Sequence, residues 1–326
     1  MPRKWVRGLL WAGTGLAGVA VVNAEVARRV NPLDPAGYLG GEPHYYQWSL
    51  GRIFYTVRGR GRPVMLLHGF GVGADSRQWH RVFGALSEHF RVYAYDQLGF
   101  GLSDRPDITY QPELYVRLQR DFLRDVVGGS AAVVADGMAA AHAVLAASLY
   151  PTLFERLVLI HPSSAMGFAN QPAWSGRLWH TVLRSPVVGE ILVNVMASRP
   201  VLRRHLYEDQ YADAEHVSED TVEHYYTSSH QPGARHAIAA CLAGFLDVDI
   251  HRAFAILRRP ITVVWGRQAQ ITPVERAEPL VTLNPAARLF VFDDAGQDLV
   301  NEQPSDLVLL LQKVLNGELP EDVDSV

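Results

Sequence analysis

The chain has 326 residues, 48% of them hydrophobic and 20% charged, an ordinary globular balance long enough to bury a large core without staples. Its formal net charge of -4 speaks against a polyanionic partner, so no nucleic acid is expected. A single cysteine, Cys241, excludes an intramolecular disulfide and a cysteine-based metal site but does not decide the compartment.

Residues 1–24 stand apart. Arg3, Lys4 and Arg7 precede an uncharged apolar run over 9–22. The run is shorter than the roughly 20 residues a membrane span needs and suits a signal-peptide core. Val22-Asn23-Ala24 supplies small residues at a cleavage spacing. The rival is an uncleaved anchor prolonged through Val26 and Val30, and the plain alternative is a soluble N-terminal helix on a cytoplasmic protein. The leading charges favour an exported or membrane-anchored body, while Arg28 and Arg29 on the far side oppose it. Residues 25–43, rich in Pro and Gly, read as a linker.

Strands are expected over 45–50 and 53–57, joined at Gly51-Arg52 as a hairpin. From Pro63 onward, short apolar runs alternate with helical patterns. Strands fall at 64–67, 92–95, 132–135, 157–160, 261–265 and 289–292, and helices at 79–86, 114–127, 139–149 and 305–315. Continuous Val/Leu/Ile runs indicate strands buried on both faces, and strand–helix alternation implies a mostly parallel sheet with right-handed crossovers. The segment 163–259 contains no convincing buried strand and reads as a helical cap carrying Trp174, Trp179, Tyr207, Tyr211, Tyr225 and Tyr226. The resulting domains are a core over 44–162 and 260–316, the cap over 163–259, and an acidic tail over 317–326.

Three local patterns point the same way. His68-Gly69-Phe70-Gly71 follows one buried strand, Asp96-Gln97-Leu98-Gly99-Phe100-Gly101-Leu102-Ser103 follows the next, and Trp265-Gly266-Arg267-Gln268-Ala269-Gln270-Ile271-Thr272-Pro273 follows a late one. In this order they resemble the α/β-hydrolase family, in the branch of epoxide hydrolases, haloalkane dehalogenases and related esterases. That resemblance implies an α/β fold, a mostly parallel central sheet flanked by helices, with the cap inserted after the sixth strand.

The family's chemistry uses a nucleophile on a sharp strand-to-helix turn, a His that takes its proton, and a carboxylate that orients the His. In frames anchored by Pro151, Pro273 and Pro304, these slots fall on Gly137, Ala269 and Gln297. Gly137 has no atom to attack with, Ala269 no charge, and Gln297 no titratable proton near neutral pH. The loop after the sixth strand, His161-Pro162-Ser163-Ser164, offers no alternative acid. The resemblance assigns the oxyanion hole to the backbone N–H groups of Phe70 and Met138. Asp136 is the nearest rescue nucleophile, but its flanks Val134 and Met138 are too large for the turn; the plain reading is a carboxylate bonded to backbone N–H groups. His68 and His161 are further pocket candidates, with structural roles as their plain readings.

No metal-ligand spacing, P-loop or complete dinucleotide fingerprint is present, so no cofactor is expected. The leading expectation is a non-hydrolytic family member that binds a hydrophobic small molecule or a protein partner. The alternatives are an active enzyme using a displaced constellation, and a membrane-tethered interaction module held through residues 1–24. An open pocket should be mainly apolar, with contributions from the cap, whose aromatics have packing in the core as their plain reading.

Overall fold

The buried runs form one eight-stranded sheet. In the computed structural model, which describes residues 23, 25, 28–35, 38–163, 174–213, 215 and 217–318, the strands are β1 (Glu42–Trp48), β2 (Gly51–Arg58), β3 (Pro63–Leu67), β4 (Arg91–Tyr95), β5 (Ala131–Asp136), β6 (Phe154–Ile160), β7 (Ile261–Gly266) and β8 (Ala287–Phe292). Their spatial order is β1-β2-β4-β3-β5-β6-β7-β8. Pairing is antiparallel around β2 and parallel from β4 through β8.

Successive residues of each parallel strand point to opposite faces, and the two faces hold separate cores. Met65, Leu67, Val133, Ala135, Leu157, Leu159, Val263 and Trp265 lie in one. Val64, Leu66, Ala132, Val134, Val158, Ile160 and Val264 lie in the other. The second face is covered by α1 (His80–Ser87) and the chain's last helix, through Val82, Phe83, Leu86, Leu307 and Leu311. The first is covered by α2 (Pro112–Phe122) and α3 (Gly137–Leu149). α3 is buried almost all round, and its alanines, Ala139, Ala140, Ala143 and Ala147, let it lie close to the sheet.

The edge hairpin differs from the expectation. Trp48 pairs with Gly51, so the two-residue turn is Ser49-Leu50 rather than Gly51-Arg52. Gly51 lies in β2, and the position is glycine because a Cβ there would stand 2.9 Å from Asp104 Cβ. The linker expected over 25–43 is also packed from Tyr38 onward. Tyr38 and Leu39 are buried, and a Cβ on Gly41 would lie 2.5 Å from Thr56 Cγ2. The Asp96 motif is structural: its carboxylate accepts from Ser76 N at 2.7 Å and Leu102 N at 2.6 Å, folding the turn after β4.

Between β6 and β7 the described residues form α4 (Trp174–Arg184), α5 (Val188–Met196), α6 (Arg199–His205), α7 (Glu219–Ser229), α8 (Ala234–Leu242) and α9 (His251–Ile256). A π-helical turn, Leu206–Gln210, extends α6. After β7 come α10 (Ala277–Thr282), α11 (Leu299–Glu302) and α12 (Pro304–Asn316). This helical insertion is seated on the sheet domain at buried points. His224 Nε2 reaches the two Asp75 carboxylate oxygens at 3.0 and 2.8 Å. Burial alone would raise the Asp75 pKa, but its interaction with and hydrogen bond from His224 hold it below the usual carboxylate range. Gly73, with φ of +79°, lies so near Tyr225 that a Cβ would stand 2.7 Å from its Cα.

The leader or anchor expected over residues 1–24 lies, apart from Asn23, outside the described residues. Asn23 is buried, donates to the Val187 carbonyl at 3.4 Å and accepts from Asn194 Nδ2 at 3.0 Å. Among the described residues no helix is long and apolar enough to cross a membrane.

The Asp75–His224 contact predicts that His224→Ala, which strands a buried carboxylate, lowers unfolding free energy by about 2–4 kcal/mol. Urea unfolding followed by circular dichroism measures it, and an unchanged midpoint contradicts the role assigned to this pair.

Candidate active site

Parallel strands end on one side of the sheet, and the loops that leave those ends build the site. They carry His68-Gly69-Phe70 after β3, Gly137-Met138 after β5, His161 to Ser163 after β6, Ala269 to Thr272 after β7, and Gln297-Asp298 after β8. Between these loops and the helical insertion lies a cavity of about 630 Å³. A groove of about 800 Å³ beside Arg58 and Arg91 sits at the opposite end of β4, away from these loops.

Gly137 lies at the reversal from β5 into α3 with φ of +56°, a left-handed conformation that favours glycine. A Cβ there would meet only Ser163 Oγ at 3.6 Å and Gly69 Cα at 3.9 Å, so the space a nucleophile would occupy is open to the cavity. Phe70 and Met138, whose N–H groups the resemblance assigns to the oxyanion hole, line the cavity with it.

Gln297 also lines the cavity. Its Oε1 accepts from Thr272 N at 3.1 Å and Thr272 Oγ1 at 2.8 Å. A side chain in the histidine slot therefore still bonds the β7 loop, through neutral groups. Ala269 is buried in that loop and forms no part of the cavity wall. The neighbouring Gln268 N–H donates to the Ala295 carbonyl at 3.0 Å, joining the two loops. Glu302, five residues on from Gln297 by number, accepts from Gly296 N at 2.7 Å, Ala212 N at 2.6 Å and Asp213 N at 3.2 Å. That buried carboxylate ties the β8 loop to the helical insertion.

Of the three pocket candidates, only Asp136 lines the cavity. His68 is fully buried: its Nδ1–H donates to the Gly69 carbonyl at 2.6 Å and its Nε2 accepts from Gln97 N at 2.9 Å. Burial pushes its pKa down to about 4, so it is a neutral brace. His161 accepts from Gly266 N at 2.8 Å, and burial pushes its pKa down to about 3. It bridges β6 and β7 behind the cavity.

Asp136 Oδ2 accepts from Gln78 Nε2 at 2.8 Å, and Gln78 Oε1 in turn accepts from Gly69 N at 3.0 Å. A side chain thus joins the Gly137 backbone N–H in bonding this carboxylate. Burial pushes the Asp136 pKa up to about 7, opposed by the Gln78 amide and reinforced by Asp298. Asp298, also on the cavity wall, is pushed up to about 6 by burial and accepts from Asn301 Nδ2 at 2.9 Å. Gln78 belongs to no sequence motif and gains its role only when distant loops meet; Asp298 sits beside Gln297 in the frame anchored by Pro304, but its place on the cavity wall shows only in the fold.

Of the cap aromatics, Tyr225 lines the cavity, but the two tryptophans do not. Trp174 and Trp179 are 79% and 55% exposed and do not reach the cavity. They occupy the outer face of α4, while Met196, Leu202 and Leu242 supply the apolar wall. The rim is charged: Arg204 pairs with Glu208 at 2.6 Å and His205 with Asp209 at 2.7 Å.

An acid whose pKa rises from 3.8 to about 7 on folding binds more protons folded than unfolded between those values. Asp136 therefore makes stability fall as pH rises from about 4 through about 7. Asp136→Asn is expected to flatten that slope and to exceed the parent in stability above pH 7 by on the order of 1–3 kcal/mol. Denaturant titrations across pH measure it; an equally steep slope contradicts the assignment.

The comparisons with known proteins agree with this architecture. The family model described as the alpha/beta hydrolase family matches residues 64–309. The 2-hydroxy-6-oxo-6-(2'-aminophenyl)hexa-2,4-dienoic acid hydrolase of Metapseudomonas resinovorans is 26% identical over 261 residues, spanning 77% of this chain and 83% of the relative. The 2-hydroxymuconate semialdehyde hydrolase of Pseudomonas sp. (strain CF600) is 27% identical over 248 residues, spanning 73% and 81%. A solved serine hydrolase involved in carbazole degradation superposes with a TM-score of 0.72 at 23% identity, over 85% of this chain and 99% of that one. With the sheet order, the loop geometry and a match across most of the sequence in agreement, the chain belongs to the alpha/beta hydrolase family.

Proposed function

We propose that this protein binds a hydrophobic small molecule in the cavity and carries out no triad-based hydrolysis. The observation that carries the reading is Gly137: the turn, its left-handed backbone and the open space above it are present, and the attacking atom is not. Ala269 and Gln297 support it, because a Ser alone would find neither a base nor an acid. The relatives are named as hydrolases of a dienoic acid and a semialdehyde; nucleophilic hydrolysis at this turn would require an atom to acylate, and Gly137 supplies none. An unstrained glycine turn beside an apolar wall keeps the binding half of the machinery.

One observation favours a second reading, hydrolysis through a displaced group. Asp136 faces the cavity with a pKa near neutrality, the range suited to a general base. The two readings separate by labelling. The parent protein is expected to show no burst with p-nitrophenyl esters and no adduct with a fluorophosphonate. Gly137→Ser combined with Ala269→Asp and Gln297→His is expected to gain a stoichiometric fluorophosphonate adduct at position 137, read by intact and peptide mass spectrometry. A parent adduct on Asp136, or ester turnover abolished by Asp136→Asn, establishes the second reading instead.

A further inference from the structure

We infer that the cavity selects an amphiphile with a cationic, N–H-donating head, an alkylammonium, over a carboxylic acid. The inference rests on the binding reading above and names the ligand's chemistry.

Six charged or titratable rim and floor groups matter: Arg204, His205, Glu208, Asp209, Asp136 and Asp298. At the rim Arg204 pairs with Glu208, while His205 Nδ1–H donates to Asp209 and its Nε2 accepts from Gln210 Nε2 at 3.1 Å, so no rim cation is left over for the floor. The two floor carboxyls have neutral partners: Gln78 for Asp136, and Asn301 for Asp298. Arg81, which approaches the same loop, is engaged with the Asn301 carbonyl at 2.8 Å. The floor therefore holds two acids and no compensating cation among the described residues, and burial has raised the proton affinity of both. A buried carboxyl without a counter-charge stays neutral or acquires a cation.

Placement acts in the same direction. Asp136 Oδ2 lies over the oxyanion turn, 2.9 Å from where a Cβ on Gly69 would stand. An anionic head drawn toward the N–H groups of Phe70 and Met138 would have this carboxyl as a neighbour. Asp136 Oδ1 is buried and makes no hydrogen bond, leaving an acceptor unused. Phe70, Met138, Met196, Leu202, Leu242 and Ile271 provide the surface for an apolar tail. The cavity of about 630 Å³ is within the size range of small-molecule sites. The relatives' names specify acids and semialdehydes; the floor here is built for the opposite charge.

Isothermal titration calorimetry of the full chain with decylammonium, decanol and decanoate tests this, since the tail is constant and only the head changes. At about pH 8, where an alkylammonium remains charged, decylammonium is expected to bind about tenfold or more tighter than decanoate. Asp136→Asn and Asp298→Asn are each expected to reduce that ratio about fivefold or more. Circular dichroism confirms that both variants are folded, and either one alone suffices for the comparison. Decanoate binding as tightly as decylammonium, or a preference that survives in both variants, overturns the inference. Decanol binding without any head-group preference overturns the inference and leaves the binding reading standing; if none of the three binds, both fail.

Discussion

At Gly137 the backbone leaves β5 in an extended conformation and enters α3 within one residue, which requires a positive φ. In an L-residue with a side chain that geometry costs about 1–2 kcal/mol, and the surrounding structure has to enforce it. Here glycine adopts it without strain. The turn keeps its shape because Ala135 and Ala139 on either side are fully buried and small, and because β3 and β6 clamp β5 from both flanks. The form of the cavity floor follows from this reversal: Phe70 on one side, Met138 on the other, and empty space between.

The roof depends on buried carboxylates. Glu302 gathers three backbone N–H groups, one from the β8 loop and two from the helical insertion. Asp75 holds His224 of α7. Each acts at a place where backbone or ring donors would otherwise be buried without partners, so each is worth more than a surface ion pair. The work of Glu302 is structural. The same holds for His68, whose bonds run to Gly69 and Gln97 and not to the cavity.

Much of the fold can be read from local pattern. Runs such as 64–67 and 261–265 are apolar at every position because both faces are covered, and they emerged as strands for that reason. The slots at Gly137 and Gln297 could be located because prolines fix the frame, and both prove to line one cavity. What local pattern cannot supply is partnership across the chain. Gln78 bonds Asp136 over a separation of 58 residues, and nothing near either residue announces it. Trp174 and Trp179 look like a pocket roof in composition, yet the α4 face that carries them turns outward while Leu183 on the same helix turns inward. The hairpin turn was displaced because a glycine in sequence signals freedom; at Gly51 it serves a close approach to Asp104.

The account stands on the claim that the cavity above Gly137 is a binding volume and not a disarmed reaction centre. A high-resolution crystal structure of the protein purified from its own host, combined with native mass spectrometry of the same sample, examines that volume directly. The account predicts an intact, non-covalently held apolar molecule with its polar end toward Asp136 and its body along Met196 and Leu202. Cleaved fragments of a larger molecule in the cavity, or electron density joining a ligand covalently to Asp136, would contradict it.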